Sequence, residues 1–347
     1  MSPVADKMLL SNHRQELLLV DLSEKTCTVL DRSEYNRIAG FCWSPDGRWA
    51  AYGCAASHNT CSIKVCEVAS GEIHVLTPPR FYDMDPSFDP EGKYLYFLSV
   101  REFNPVYDSI YFDLNFPRGM RPCAIALRSD VPSPFIPVPK PLKDSGKSEN
   151  GKKSEGKQSE DSGEGSNEGG NGDASNGGSN GNQPTPVEIE FEGCDRRIVA
   201  FPVAEGRYRQ IYGIKGKVLF SSVPVEGSLG RRWSNAAPNA KATLEYYDFA
   251  EQKTEKVATE VTSFDVGRDG ETLIYRSGNA LRICAIAPKS DKSNDTEPGR
   301  KSGWLDLQRV RVGIEPGLEW RQMFGEIWRL QKEQFWTPDM SDVNWER

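Results

Sequence analysis

Three stretches of the chain share one pattern of apolar and polar positions. "FCWSPDGRWAAYGC" runs from Phe41 to Cys54, "PSFDPEGKYLYFLS" from Pro86 to Ser99, and "SFDVGRDGETLIYRS" from Ser263 to Ser277. Each has an aromatic residue near its start, a polar turn ending in an acidic residue and glycine, and then an apolar or alternating run. Pro45 and Pro90 preset φ for a turn, and Gly47, Gly92 and Gly270 can take positive φ without a Cβ clash. Tyr94, Leu95, Tyr96 and Phe97 are suited to the strand that follows. A second kind of hairpin recurs in "ELLLVDLSEKTCTVLD", "SIKVCEVASGEIHVLT" and "TLEYYDFAEQKTEKVAT". The interval from Gly47 to Gly92 is 45 residues, the length of a four-stranded propeller blade at about 40–45 residues per repeat. The pattern therefore predicts a β-propeller of four to five blades. One is partial and ends near Leu30, with only its outer strands. The others cover about 36–77, 80–141, 187–258 and 259–307.

Two segments break the pattern. From Leu142 to Pro186 the chain is rich in Gly, Ser and Asn and has no aromatic or β-branched residue before Thr185. Such a stretch cannot bury enough apolar surface to offset its ordering entropy, and it reads as a flexible insert interrupting the third blade. After Lys301, "SGWLDLQRVRVGIEP" alternates like one more strand. Then Trp320, Met323, Phe324, Ile327 and Gln331 fall at helical spacing, with Leu330 and Phe335 extending the face. Pro316 precedes this helix and Pro338 stops it. Its aromatic face calls for a covering partner.

Charge and composition narrow the picture. A net charge of −7 on 347 residues argues against a general nucleic-acid binder. The eight cysteines, Cys27, Cys42, Cys54, Cys61, Cys66, Cys123, Cys194 and Cys284, form no CxxC pair, and His13, His58 and His74 add no zinc spacing. They read as free buried thiols of a reducing compartment. No signal peptide and no long apolar run is present, so no membrane span is expected.

Candidate chemistry is sparse. Ser57-His58 pairs a nucleophile with a base in sequence, but neighbouring residues of a strand point to opposite faces and no third group is evident. Asp83, Asp85, Asp89 and Glu91 could suggest a calcium loop, but they lack the EF-hand order; capping of blade turns is the expected role. Arg231-Arg232 could meet an anion and reads as a solvated pair. HExxH and Walker-type motifs are absent. No catalytic, cofactor-binding or metal-binding residue is assigned, and no cofactor is expected.

Longer strings carry a family resemblance. "DSIYFDLNFPRGMRPCAIALRSDVPSPFIP" (Asp108–Pro137), "GRYRQIYGIKGKVLFSSVPVEGSLGR" (Gly206–Arg231) and "RKSGWLDLQRVRVGIEPGLEWRQMFGEIWRLQKEQFWTPDMSDVNW" (Arg300–Trp345) resemble the tricorn protease family. The resemblance implies large cytosolic serine peptidases that shorten oligopeptides released by the proteasome or similar proteases. They carry a six-bladed and a seven-bladed propeller, a first core domain, a PDZ-like domain and a second core domain, and the archaeal members form hexamers. This chain would then be all-β, a partial seven-bladed propeller followed by the beginning of an α-helical core domain. The expected boundaries are blades at 1–141, the insert at 142–186, blades at 187–312 and the truncated core domain at 313–347. The family's catalytic serine–histidine pair would lie beyond Arg347, so no site residue carries over. The expectation is a cytoplasmic, non-catalytic, substrate-gating portion of a homo-oligomeric enzyme acting on oligopeptides, without nucleic-acid or membrane partners. The alternatives are a stand-alone propeller scaffold that binds peptides or proteins and, last, the propeller cap of a prolyl-oligopeptidase relative. An incomplete propeller would expose raw sheet edges, which implies poor solubility alone.

Overall fold

A computed structural model describes residues 1–108, 113–137, 186–226, 239–286, 297–337 and 339–345. Five successive antiparallel sheets fill most of this span. The first contains β1 (Lys7–Ser11), β2 (Glu16–Asp21) and β3 (Thr26–Arg32), and the second β4 (Ala39–Trp43), β5 (Trp49–Ala55), β6 (Cys61–Glu67) and β7 (Ile73–Val75). The third begins with β8 (Tyr82–Phe88) and β9 (Tyr94–Val100). It continues past a small hairpin, β10 (Val106–Asp108) and β11 (Asp113–Asn115), into β12 (Met120–Ala126) and β13 (Ile198–Ala200). The fourth holds β14 (Arg207–Ile214), β15 (Lys217–Val223), β16 (Ala242–Asp248) and β17 (Lys253–Val261). The fifth holds β18 (Ser263–Val266), β19 (Thr272–Ser277) and β20 (Ala280–Ala285). The second and third sheets touch through a single parallel bridge, Cys61 to Tyr82.

The repeated turns form as their chemistry dictates. Gly47, Gly92 and Gly270 have φ of 70°, 69° and 68°. Each donates its N–H to the carbonyl three residues earlier, on Ser44, Asp89 and Gly267, at 2.9 Å in all three cases. The three strand pairs β2–β3, β6–β7 and β16–β17 are the second hairpins anticipated from the sequence.

Strand alternation then builds the cores between sheets. Along β9, Leu95 and Phe97 face the second sheet and pack with Ala51, Ile63 and Val65. Tyr96 and Leu98 face the fourth sheet and pack with Phe201, Val218 and Phe220. On β5, Ala51 faces the third sheet while Ala50 and Tyr52 pack with Leu9 and Leu17 of the first. The fourth and fifth sheets share Leu219, Leu244, Phe264 and Leu273. Period-2 strands covered on both faces are the packing unit of a radially repeated sheet protein.

Three expectations need correction. Residues 187–200 close the third sheet instead of opening the fourth: Cys123, Ala124 and Ile125 of β12 pair with Ala200, Val199 and Ile198. Val187, which is fully buried, donates its N–H to Asp46 Oδ2 (2.7 Å) and accepts from Trp49 Nε1 (3.1 Å). Phe191 stacks on His74 at 3.8 Å between ring centroids. This strap returns the chain to the third sheet, whereas a sequence repeat reveals only local pairings. The stretch after Lys301 is also not a strand. Only Trp304 bridges Arg282. Asp306 then accepts the N–H of Gln308 and starts a single 3₁₀ turn at Leu307–Arg309. Third, the cysteines are all free, but Cys27 is exposed and Cys42 and Cys284 are half-buried. The expected insert lies outside the described residues, except for Pro186.

Helix α1 (Pro316–Gln334) starts at Pro316 itself, where the missing N–H costs nothing. It ends before Phe335, and Pro338 lies outside the described residues. None of its side chains is buried. His13 Nε2 lies 3.2 Å from Glu333 Oε2, and Trp328 donates to the Trp345 carbonyl at 3.2 Å.

Candidate functional site

The first strands of the second to fifth sheets, β4, β8, β14 and β18, are neighbours in turn. They form the inner side of the sheet series, and polar groups stitch them together. Ser87 Oγ accepts the N–H of Gly213 at 2.9 Å. The Gln210 amide binds Phe264 twice, accepting its N–H at 3.0 Å and donating to its carbonyl at 3.2 Å. Backbone groups at an unpaired inner edge would otherwise lack partners.

Three of these strands carry an irregularity in the same half. Pairing shifts between Ala39 and Phe41, between Met84 and Ser87, and between Tyr208 and Gln210. Gly40 and Asp85 occupy the first two with φ of 63° and 51°. A bulge bends the strand and re-aims a side chain. Here it turns Asp85 into a cleft of about 160 Å³ between three strands, together with Phe41, Cys42, Gln210 and Tyr212. Burial pushes the Asp85 carboxyl up to about 6 and the Cys42 thiol up to about 12. Tyr212 is raised too, by burial first and then by the charge of Asp265. Tyr212 also lines a larger neighbouring cleft of about 890 Å³ between the fourth and fifth sheets, with Lys215, Arg268, Asp269 and Glu271 in its lining.

The other sequence candidates disperse. Ser57 Oγ lies 2.6 Å from Thr60 Oγ1 and accepts the N–H groups of Asn59 and Thr60, which closes a polar turn. His58 packs edge-on against Tyr35 at 5.4 Å. The two therefore serve a loop and are not hydrogen-bonded to each other. Of the four acidic residues, only Asp89 and Glu91 act in a turn: Asp89 accepts from Lys93 N, and Glu91 pairs with Lys93 Nζ at 2.6 Å. Asp83 is instead buried on Ser99 Oγ and Arg101 Nη2, and Asp85 sits in its bulge. Turn capping was thus the wrong expectation for both, because they lie inside β8. Among the described residues no three His, Cys, Asp or Glu side chains gather in a metal-holding group. Arg231 and Arg232 lie outside the described residues.

The comparison with known families decides the lineage. Residues 1–287 match the tricorn protease second beta propeller domain, and residues 316–347 match the tricorn protease C1 domain. The chain belongs to the tricorn protease family. A tricorn protease homolog of Saccharolobus solfataricus is 31% identical over 346 residues, covering 99% of this chain and 28% of the relative. Tricorn protease homolog 1 of Streptomyces coelicolor is also 31% identical, with 99% of this chain and 30% of the relative covered. A crystal structure of the tricorn protease superposes with a TM-score of 0.74 at 22% identity, over 99% of this chain and 29% of that one. The all-β sheet series is therefore a tricorn-type propeller. The chain spans less than a third of the length of these relatives. Among the described residues no helix is long and apolar enough to cross a membrane.

Proposed function

We propose that this chain is the channel wall of a tricorn-type serine peptidase, a part of its second propeller that admits oligopeptides and carries no catalytic residue. The reading rests on one observation. The matched propeller presents, along its inner strands, adjoining clefts that share Tyr212, and the smaller of them holds the Asp85 carboxyl. Peptide-bond cleavage would belong to portions of the tricorn architecture outside this span, by acyl transfer from an activated serine. In the same reading the sheets belong to a seven-bladed ring, 142–186 is an insert within its third sheet here, 313–347 begins the first core domain, and the assembled enzyme is a cytoplasmic homo-oligomer. The exposed aromatic face of α1 favours this over a free-standing scaffold, since a finished scaffold would cover it.

The test is hydrolysis of fluorogenic oligopeptides by the purified 347-residue chain. The expected rate is that of buffer. Turnover that follows the protein through purification and is blocked by a serine-directed inhibitor would overturn the assignment.

A further inference from the structure

Asp85 is costly to the fold in three ways. Its backbone is left-handed, at φ 51°, a region non-glycine residues enter at roughly 1–2 kcal/mol. Its carboxyl is partly buried, and burial raises it to about 6. It accepts no hydrogen bond and pairs with no cation among the described residues, although Asp83 two positions earlier holds both Ser99 and Arg101. The equivalent bulge in the preceding sheet is filled by Gly40, seven residues before its turn glycine as Asp85 is before Gly92. The two positions also meet: a Cβ on Gly40 would stand 2.1 Å from Asp85 Oδ1. The bare glycine thus leaves the space in which the carboxylate lies. Strain and unpaired charge kept together in a cleft point to a function outside stability.

We propose that Asp85 is a binding point for a protonated amine, the N-terminal ammonium or a lysine side chain of a peptide moving along the inner strands. The inference rests on the peptide-channel reading and adds its selectivity. The cleft of about 160 Å³ holds an ammonium and its stem, and the Tyr212 ring and the half-buried Phe41 supply apolar contact for the stem. A cation there would complete the hydrogen bonding that the carboxylate lacks.

The experiment uses the full chain and three fluorescent heptapeptides of one apolar sequence. One has a free N-terminus, one is N-acetylated, and one is N-acetylated with a central lysine. Anisotropy titrations at pH 7.5 are made on the wild type, D85N and D85G. The wild type is expected to bind the free-amine peptide, the lysine peptide or both about tenfold more tightly than the neutral one, the worth of one charge-assisted hydrogen bond. Both variants should hold that ratio within about twofold of unity, with unchanged far-ultraviolet circular dichroism. D85G, which also relieves the left-handed strain, guards against loss of folding in D85N. Which amine gains identifies its source. Equal binding of all three peptides by the wild type, or discrimination that survives in a folded variant, overturns the role of Asp85 and leaves the channel standing. Failure of every peptide to bind the folded wild type overturns the channel reading itself.

Discussion

Phe97 and Phe324 are the same side chain in opposite circumstances. Phe97 on β9 is fully buried, while Phe324 on α1 is 71% exposed. Both were legible as apolar positions of a periodic element. The difference lies in what the next piece of chain supplies. For β9 the neighbouring repeats bring a sheet to each face, so its odd positions meet Ile63 and Val65 and its even positions meet Phe201 and Phe220. For α1, Trp320, Phe324 and Ile327 stand exposed on one face among the described residues, and near its C-terminus Glu333 meets His13 and Trp328 meets Trp345. Periodicity marks which face is apolar; topology decides whether it is covered.

The largest effect should come from breaking the covered side. Phe97→Ala removes a ring from a core shared by two sheets and leaves a cavity that β-strands cannot collapse around. A loss of about 3–5 kcal/mol is expected. Urea denaturation followed by tryptophan fluorescence checks it. A loss below about 1 kcal/mol would mean that the second and third sheets are not packed as described.

An intermediate effect should appear at the inner edge, where Asp85 is neither covered like Phe97 nor free like Phe324. Its carboxyl lies near 3.8 when unfolded and is raised by burial to about 6 in the fold. Between those values the folded protein binds more protons than the unfolded one, so stability falls as pH rises through this window. Asp85→Asn removes the titration. The variant should gain on the wild type by on the order of 1 kcal/mol above pH 7 and lose that advantage near pH 4. Cys42 and Tyr212 in the same cleft, and Cys61, which feels the Asp85 charge, are all raised and stay neutral across this range. A difference independent of pH would assign the gain to relief of something other than the buried charge.

What the sequence disclosed follows the same division between local and distant causes. The turns at Gly47, Gly92 and Gly270 were legible because positive φ is a property of a few adjacent residues. The return of 198–200 to β12 was not, since it crosses the whole 142–186 stretch and depends on Val187, Phe191 and Cys194 finding the second and third sheets. Alternation after Lys301 suggests a strand but yields a single bridge at Trp304, because Asp306 turns the segment aside. Asp85 resembles the neighbouring turn carboxylates in sequence, yet one signal separates it from them. Aligning the repeats on their turn glycines places Asp85 opposite Gly40, and an aspartate in a glycine position marks a strained bulge.

The smallest effect should come from the uncovered side. Phe324→Ala on the full chain removes a ring that makes no buried contact, and α1 has no buried side chain to lose. Stability should stay within about 0.5 kcal/mol of wild type, since alanine is also the better helix former. Solution behaviour should change more than stability does, because an aromatic face left open is an association surface. Sedimentation velocity of the variant should show less self-association than the wild type at equal concentration. If Phe324→Ala instead costs about as much as Phe97→Ala, the helix face is covered in solution, and the contrast between the two phenylalanines is lost.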